Sequence, residues 1–305
     1  MNFTLSPDGP LDVDQTLARF RLWGDDPANV LRPGRFSRAI RAGGRVHGYV
    51  VTWRGGLDDV ELRVRVPGTR SQAVTRAVRA EVEKIFGNGH DLPGFYRFVK
   101  GEPVLRPLTE QLYGFRPTVS PLPLEMLVGA VCAQQVNLTF ASALRARLVT
   151  RYGTPLTIEG ETVYAFPDAE TLERVPVADL RAMQFSARKA EYIIGLARAA
   201  VRGVLRLDAL NARDNAAVIA DLTALRGLGR WSAEWFLARC LGRGDVCPAG
   251  DLAVGKAFSH YFHRGRAVGE AVIRRRARAW GPYQSLSVHY LLAGLRLQRS
   301  VGGGE

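Results

Sequence analysis

The segment Leu222-Thr-Ala-Leu225-Arg226-Gly227-Leu228-Gly229-Arg230-Trp231-Ser232-Ala233 holds residue types able to grip an anion. An amphipathic run enters a Gly-Leu-Gly turn and a second helix starts at once, so the glycines supply left-handed backbone and admit a close approach by another molecule. The new helix offers unpaired N–H groups at its start; with the turn they make a concavity that suits a phosphate without reading a base. An ordinary tight helix–helix connection would need no more than the same glycines. Twenty-two positions after Gly229 stands Asp251, in Cys247-Pro-Ala-Gly-Asp251-Leu-Ala253. A Pro-Ala-Gly turn and an aspartate ahead of an apolar helix make an N-cap, and capping alone would account for it. The field at a helix start also favours an ionised carboxylate, the state that stabilises a cationic transition state or accepts a proton from water.

The elements that must hold these groups change character along the chain. Val46, Gly48, Val50 and Thr52 alternate with His47, Tyr49, Val51 and Trp53, Gly55-Gly56 breaks the run, and Val60 to Val66 alternates again until Pro67-Gly68. That pattern predicts a β-hairpin. From Ser71, apolar residues at 74, 78, 82 and 85 predict a helix ended by Gly87-Asn88-Gly89. Beyond about Pro107 the chain reads as helical, with no strand run. Helices are expected from Pro123 to Cys132, from the cap Asn137 to Gly153, and from the cap Ser186 to Gly203. Others are expected over about 215–225, 231–241, 252–263 and 269–280, with a last one after Pro282 and a frayed tail from Val301 to Glu305. The expected fold class is α+β: a β-rich N-terminal domain over 1–106, then a helical region over 107–305 with a cleft between about 120–241 and 242–305.

The 305 residues suffice for two domains, and a hydrophobic share of 47% excludes a disordered chain. Lys+Arg reach 42 against 29 acidic residues, a net charge of +13. Lysine occurs only at Lys84, Lys100, Lys189 and Lys256, so nearly all of the cations are arginine. A GC-rich coding sequence would produce that skew, and so would recognition of phosphate by planar guanidinium groups. No apolar run approaches the ~18 residues of a membrane span, and no early stretch has the form of a signal peptide. The protein is expected to be soluble and intracellular. Cys132, Cys240 and Cys247 are too few for a disulfide framework and one thiolate short of a four-cysteine metal or iron–sulfur site.

Taken together, the Leu-x-x-Leu-x-Gly-Leu-Gly-Arg-Trp-Ser-Ala and Pro-x-Gly-Asp elements resemble the helix-hairpin-helix (HhH-GPD) DNA glycosylase superfamily, in particular its bacterial 3-methyladenine DNA glycosylase II (AlkA) type. Leu127-Val-Gly-Ala-Val-Cys-Ala-Gln134-Gln135-Val136 is similar to the family's Gln-Gln segment, and Ser186-Ala-Arg-Lys-Ala-Glu-Tyr192 to its Ala-x-Lys-Ala helix. The N-terminal hairpin and helix resemble the family's β-rich, TBP-like first domain. The resemblance implies base excision repair of alkylation damage: a monomer binds double-stranded DNA, flips out an alkylated purine and hydrolyses its N-glycosidic bond, leaving an abasic site.

The same resemblance assigns roles residue by residue. Asp251 becomes the catalytic carboxylate, an anion facing the oxocarbenium charge of the sugar or aligning water on its far face. Gln135 stands where the family places the side chain that fills the gap; a polar helix-end residue would look the same. Arg226, Gly227, Leu228, Gly229, Arg230 and Ser232 become the DNA-binding hairpin, and the carbonyls of Thr223, Leu225 and Leu228 would hold a structural Na⁺ or K⁺. Trp231, Trp235, Tyr283 and Phe20 become pocket aromatics, electron-rich rings that hold a cationic base by ~0.5–2 kcal/mol per contact. Each of these aromatics would serve equally as core packing. Strand-cutting relatives carry a lysine where this chain has Trp231, which implies a glycosylase without lyase activity. No cofactor for catalysis and no iron–sulfur cluster are expected. Arg226 replaces a proline frequent before Gly-x-Gly, and Gly250 an acidic or apolar residue before the aspartate, departures that bear on substrate range. Two readings compete: a glycosylase of the same fold for oxidised or deaminated bases, and a damaged-DNA-binding protein without catalysis.

Overall fold

The computed structural model describes residues 1–302, with side chains to 298. Five antiparallel strands, β1 (Asn2–Leu5), β2 (Asn29–Arg32), β3 (Arg35–Ala42), β4 (Arg45–Arg54) and β5 (Glu61–Arg65), form one sheet in the order β1-β5-β4-β3-β2. The expected hairpin is β4–β5, with Val51 opposite Val64 and Trp53 opposite Leu62. A short helix, α1 (Val13–Leu17), precedes β2, and α2 (Gln72–Ile85) follows the sheet, capped by Ser71 as its sequence requires. Val74, Val78, Val82 and Ile85 of α2 pack on Phe36, Tyr49, Val51, Leu62 and Val64, so one alternating set of strand residues is buried under the helix. Each such aliphatic side chain contributes about 1.5–3 kcal/mol of transfer free energy.

The other strand face is apolar too, and its cover is an element absent from the sequence-based expectation. Strands β6 (Thr154–Ile158) and β7 (Glu161–Ala165) form a hairpin around Glu159-Gly160, both with positive φ, as a two-residue hairpin turn requires. Ile158, Val163 and Ala165 pack on Val30, Ala39 and Val50. Gly48 permits this approach, since a Cβ there would lie 2.1 Å from Ile158. Five-residue strands carry little periodicity of their own, and the surface they cover is over a hundred residues away, which is why the region reads as purely helical.

Helices α3 (Leu92–Phe98), α4 (Leu105–Gln111), α5 (Pro123–Ala133), α6 (Leu138–Tyr152), α7 (Ala169–Glu173), α8 (Val177–Ala182), α9 (Ala187–Val201), α10 (Asn215–Thr223), α11 (Arg230–Arg239), α12 (Leu252–Phe262), α13 (Glu270–Arg278) and α14 (Gln284–Gly302) build the rest. The expected caps are made: Asn137 accepts from Phe140 N at 2.8 Å and Ser186 from Lys189 N at 3.2 Å. Helix α14 continues through Val301 and Gly302, and the remainder of the expected frayed tail, 303–305, lies outside the described residues.

Two helical cores result. One joins α5 to α10 with Ala233, Phe236 and Leu237 of α11. The other joins α12, α13 and α14 with Trp235 and Ala238 of α11, and it also takes in Leu92 to Phe115, on both sides of position 106. Helix α11, buried from Ser232 to Ala238, is therefore the shared wall between the two cores. Across the sheet–helix boundary, buried Arg38 of β3 reaches Glu81 of α2 at 3.2 Å and Glu125 of α5 at 2.6 Å, while Arg145 of α6 pairs with Glu125 and Asp26.

Candidate active site

The site is set by where α11 and α12 begin. Asp251 caps α12: its Oδ1 accepts the backbone N–H groups of Ala253 at 2.7 Å and Val254 at 3.0 Å. Its Oδ2 accepts two indoles, Trp231 Nε1 at 2.6 Å and Trp235 Nε1 at 3.0 Å. The tryptophans, four apart on α11, turn their N–H edges to the same oxygen. A carboxylate has about four lone-pair sites, and four donors take them up here. That arrangement suits a fixed negative charge and leaves no lone pair ready to take a proton from water. Beyond Asp251 opens a groove of about 760 Å³ between α12 and α13, lined by Gly250, Leu252, Gly255, Lys256 and Glu270. Leu252, 75% exposed, stands at its rim.

Trp231 is half-buried, whereas Trp235 is only 6% exposed. One face of Trp235 is covered by the Arg239 guanidinium, 4.3 Å from the ring centroid, and His289 meets the ring edge-on at 5.6 Å. Trp235 therefore acts on Asp251 through its nitrogen and offers no open ring to a base on that face. Tyr283 stands apart from this group of hydrogen bonds. Its hydroxyl donates to Asp91 at 2.9 Å, and its ring stacks on Phe98 at 5.2 Å. Phe20 is not brought to the group: it packs 5.5 Å from Phe36 and lines a separate concavity with Asp25 and Arg32. From the same segment it is Arg19, Leu22 and Trp23 that face α11, across a cleft shared with Arg239, His289 and Arg296. Sequence reading missed Arg239, although it lies one turn after Trp235; nothing local marks His289.

At the hairpin only one glycine is left-handed. Gly227 has φ +96, and a Cβ there would lie 2.2 Å from the Tyr192 ring of α9. Gly229 is extended, φ −115 and ψ 179, as the N-cap of α11, and nothing stands within 4 Å of its missing Cβ. No side chain caps α11, so its first N–H groups have no capping partner beside that open space. Arg226 and Arg230 flank it, 76% and 60% exposed, restrained by Glu191 at 3.3 Å and Glu234 at 2.8 Å. Ser232 is buried, 1% exposed, so it presents no surface at the hairpin. Lys189, near the start of α9, is buried as well: its Nζ donates to Cys132 O at 2.8 Å and closes the end of α5, while Arg188 beside it is exposed. Gln135 is exposed with φ +55, a left-handed position that costs a non-glycine residue energy. Its neighbour Gln134 donates to Gly227 O at 2.7 Å and locks this turn to the hairpin. Of the three carbonyls expected to hold a cation, that of Leu225 accepts Leu228 N–H at 3.1 Å and keeps one lone pair.

Cys132 and Cys240 are buried in the first helical core and Cys247 in the second. Burial pushes each thiol up to about 12. No group of three or more His, Cys, Asp or Glu side chains suited to a metal ion occurs among the described residues.

The model of the HhH-GPD superfamily of base excision DNA repair proteins matches residues 128–282. A DNA-3-methyladenine glycosylase of Bacillus subtilis is 29% identical over 72% of this chain and 74% of its own. The solved 3-methyladenine DNA-glycosylase of Archaeoglobus fulgidus superposes with a TM-score of 0.86 at 27% identity, covering 97% of this chain and 98% of that one. The Schizosaccharomyces pombe 3-methyladenine DNA glycosylase in complex with abasic DNA aligns at a TM-score of 0.54 and 25% identity, over 70% and 95% of the two chains.

Proposed function

Because the chain belongs to the HhH-GPD superfamily of base excision DNA repair proteins, we propose that it is a monofunctional DNA glycosylase that releases alkylated purines such as 3-methyladenine and 7-methylguanine. The observation that carries this reading is the Asp251 carboxylate, held by two indole N–H groups and two helix N–H groups beside an open groove. Cleavage of the C1′–N bond places positive charge on the sugar, and a preorganised anion lowers that barrier without reorganising during the reaction. Water then captures C1′ and loses its proton to solvent.

The start of α11 is the proposed phosphate contact, through its free N–H groups, Arg226 and Arg230, with a Na⁺ or K⁺ on the carbonyls of Thr223, Leu225 and Leu228 as a further bridge. Strained, exposed Gln135 is the side chain proposed to replace the flipped base. Trp231 and Tyr283 flank the pocket in this reading, with Phe20 left in the sheet domain's core. We take the N-terminal α+β unit, 1–106, and the helical region, 107–305, as two units, with the cleft inside the helical region between about 120–241 and 242–305, and the protein as a monomer on double-stranded DNA. Several relatives bear the name 3-methyladenine glycosylase, which favours alkylated over oxidised bases and catalysis over damage binding alone.

Methylated duplex DNA incubated with the protein and heated in alkali should break at abasic sites, and free alkylpurine should be recovered. Asp251→Asn should abolish release while DNA affinity stays within about twofold. Normal turnover by that variant sinks the assignment of Asp251. Lys256 lines the same groove, so borohydride added during turnover tests the lyase question: no covalent protein–DNA adduct is expected, and a trapped adduct would show a lyase.

A further inference from the structure

Two arginines flank the start of α11, and they are held differently. Arg226 meets the exposed Glu191 at 3.3 Å, an ordinary surface pair that imposes little order. Arg230 meets Glu234, one turn further along α11, and Glu234 is only 2% exposed. A carboxylate so buried needs a partner, and Arg274 of α13 supplies it: its guanidinium reaches Glu234 Oε1 at 2.7 Å and Oε2 at 3.1 Å. Arg274 is fixed in turn by Glu270 Oε1, 2.8 Å from Nε and 2.6 Å from Nη2. The other oxygen of Glu270 lies beside the turn that carries Asp251, 3.3 Å from the place of a Cβ on Gly250. Glu270, Arg274, Glu234 and Arg230 thus form a row of alternating charge that runs from that turn to the hairpin.

Arg274 already occupies both oxygens of Glu234, so the buried charge is satisfied without Arg230. What Arg230 gains is aim. It donates from Nε to Glu234 Oε1 at 2.8 Å, and its two Nη groups have no protein partner among the described residues. A guanidinium anchored through Nε keeps its Nη1–Nη2 edge free, the pair of donors that meets a phosphate bidentately. A loose arginine loses much rotamer freedom when it engages a ligand, whereas one already held has lost that freedom beforehand. We propose that Glu234, clamped by Arg274, is a positioning residue that aims Arg230 at a DNA phosphate beside the start of α11. This deepens the glycosylase reading and rests on it.

The sign of a charge effect tests it. Removing a carboxylate near a polyanion should tighten binding through charge alone; if Glu234 aims Arg230, its loss should weaken binding instead. Affinity for a duplex carrying a tetrahydrofuran abasic analogue is measured by fluorescence anisotropy over a salt series, with the Tm of each form, for the wild type, Arg230→Gln, Glu234→Gln and the double variant. Arg230→Gln should bind more weakly and lower the salt slope of binding by about one, as loss of one phosphate contact does. Glu234→Gln should bind about fivefold or more weakly than the wild type, whereas the same substitution in the Arg230→Gln background should cost no affinity. Equal or tighter binding by Glu234→Gln, an equal loss in both backgrounds, or an unchanged slope in Arg230→Gln overturns the proposal. Should Glu234→Gln fail to fold, Arg230→Lys decides. Lysine keeps the charge but cannot be held by one donor while presenting a two-donor edge, so affinity should fall close to that of Arg230→Gln, and wild-type affinity overturns the proposal. In each of these cases a wild type that binds the duplex leaves the glycosylase reading standing. A wild type without affinity for the duplex removes that reading, and the proposal with it.

Discussion

At the scale of single residues, the aspartate and its two tryptophans form one unit. The spacing of Trp231 and Trp235 suggests rings for a cationic base, yet their nitrogens both point to Asp251 Oδ2, and Arg239 already covers a face of one of them. An edge and a face of indole do different work, so the two roles separate by substitution. Trp231→Phe keeps a ring and deletes the 2.6 Å bond; a hydrogen bond to a charged group contributes about 1.5–3 kcal/mol, so release of base should slow on the order of 10–100-fold with DNA affinity unchanged. Single-turnover rates beside a binding titration measure this. A variant that binds DNA more weakly in proportion to its lost rate would place the ring, rather than its N–H, in the lead.

At the scale of elements, the hairpin depends on its two glycines for different reasons. Gly227 lies in left-handed backbone against Tyr192, so Gly227→Ala meets both strain and a clash and should cost about 1–3 kcal/mol or more, read as a lower Tm. Gly229 is extended with open space beside it, so Gly229→Ala should leave Tm nearly unchanged and weaken DNA binding at low salt, where the added methyl stands between the helix start and a phosphate. Equal DNA affinity of Gly229→Ala and wild type would remove the α11 terminus from the interface. Elements were most legible where their signals are local. Asn137, Ser186 and Asp251 start helices because each cap bonds an N–H two or three residues ahead. The β6–β7 hairpin was not legible, because what stabilises it is the far face of another sheet.

At the scale of the whole molecule, the sheet domain is tied to the helices by buried charge. Glu125 is taken out of water, which alone would raise its pKa, but Arg38 and Arg145 outweigh burial and bring it to about 2. Its folded pKa is thus below the ordinary 4.5, so the stability it contributes is complete above about pH 4.5 and is lost as pH falls toward about 2. Glu125→Gln leaves two buried guanidinium groups short of an anion and should cost about 3–5 kcal/mol near neutral pH. Urea midpoints from pH 7 down to about 2.5 check both statements: the gap between wild type and variant should narrow on acidification, and a gap independent of pH would deny the ion pair its role. The +13 charge also acquires addresses, with Arg188, Arg226 and Arg230 on the surface and Arg19, Arg38, Arg145 and Arg239 committed inside the cleft or the domain junction.

The sequence by itself determined the local features: the helix starts and stops, the β4–β5 hairpin, the glycine turn and the capping aspartate, because each is encoded within a few residues of chain. It also held the motif pair by which the family is recognised. Only the tertiary structure decided that two indole edges and two backbone N–H groups meet on one carboxylate, that Lys189 and Ser232 are buried, and that Phe20 stays with the sheet while Arg19 faces Arg239. Those facts depend on which faces of elements distant in sequence pack together, α11 on α12, α9 on α5 and the turn after α1 on the sheet. Spacing along one chain fixes the face of a helix on which a side chain lies, and packing against distant elements fixes what that face meets.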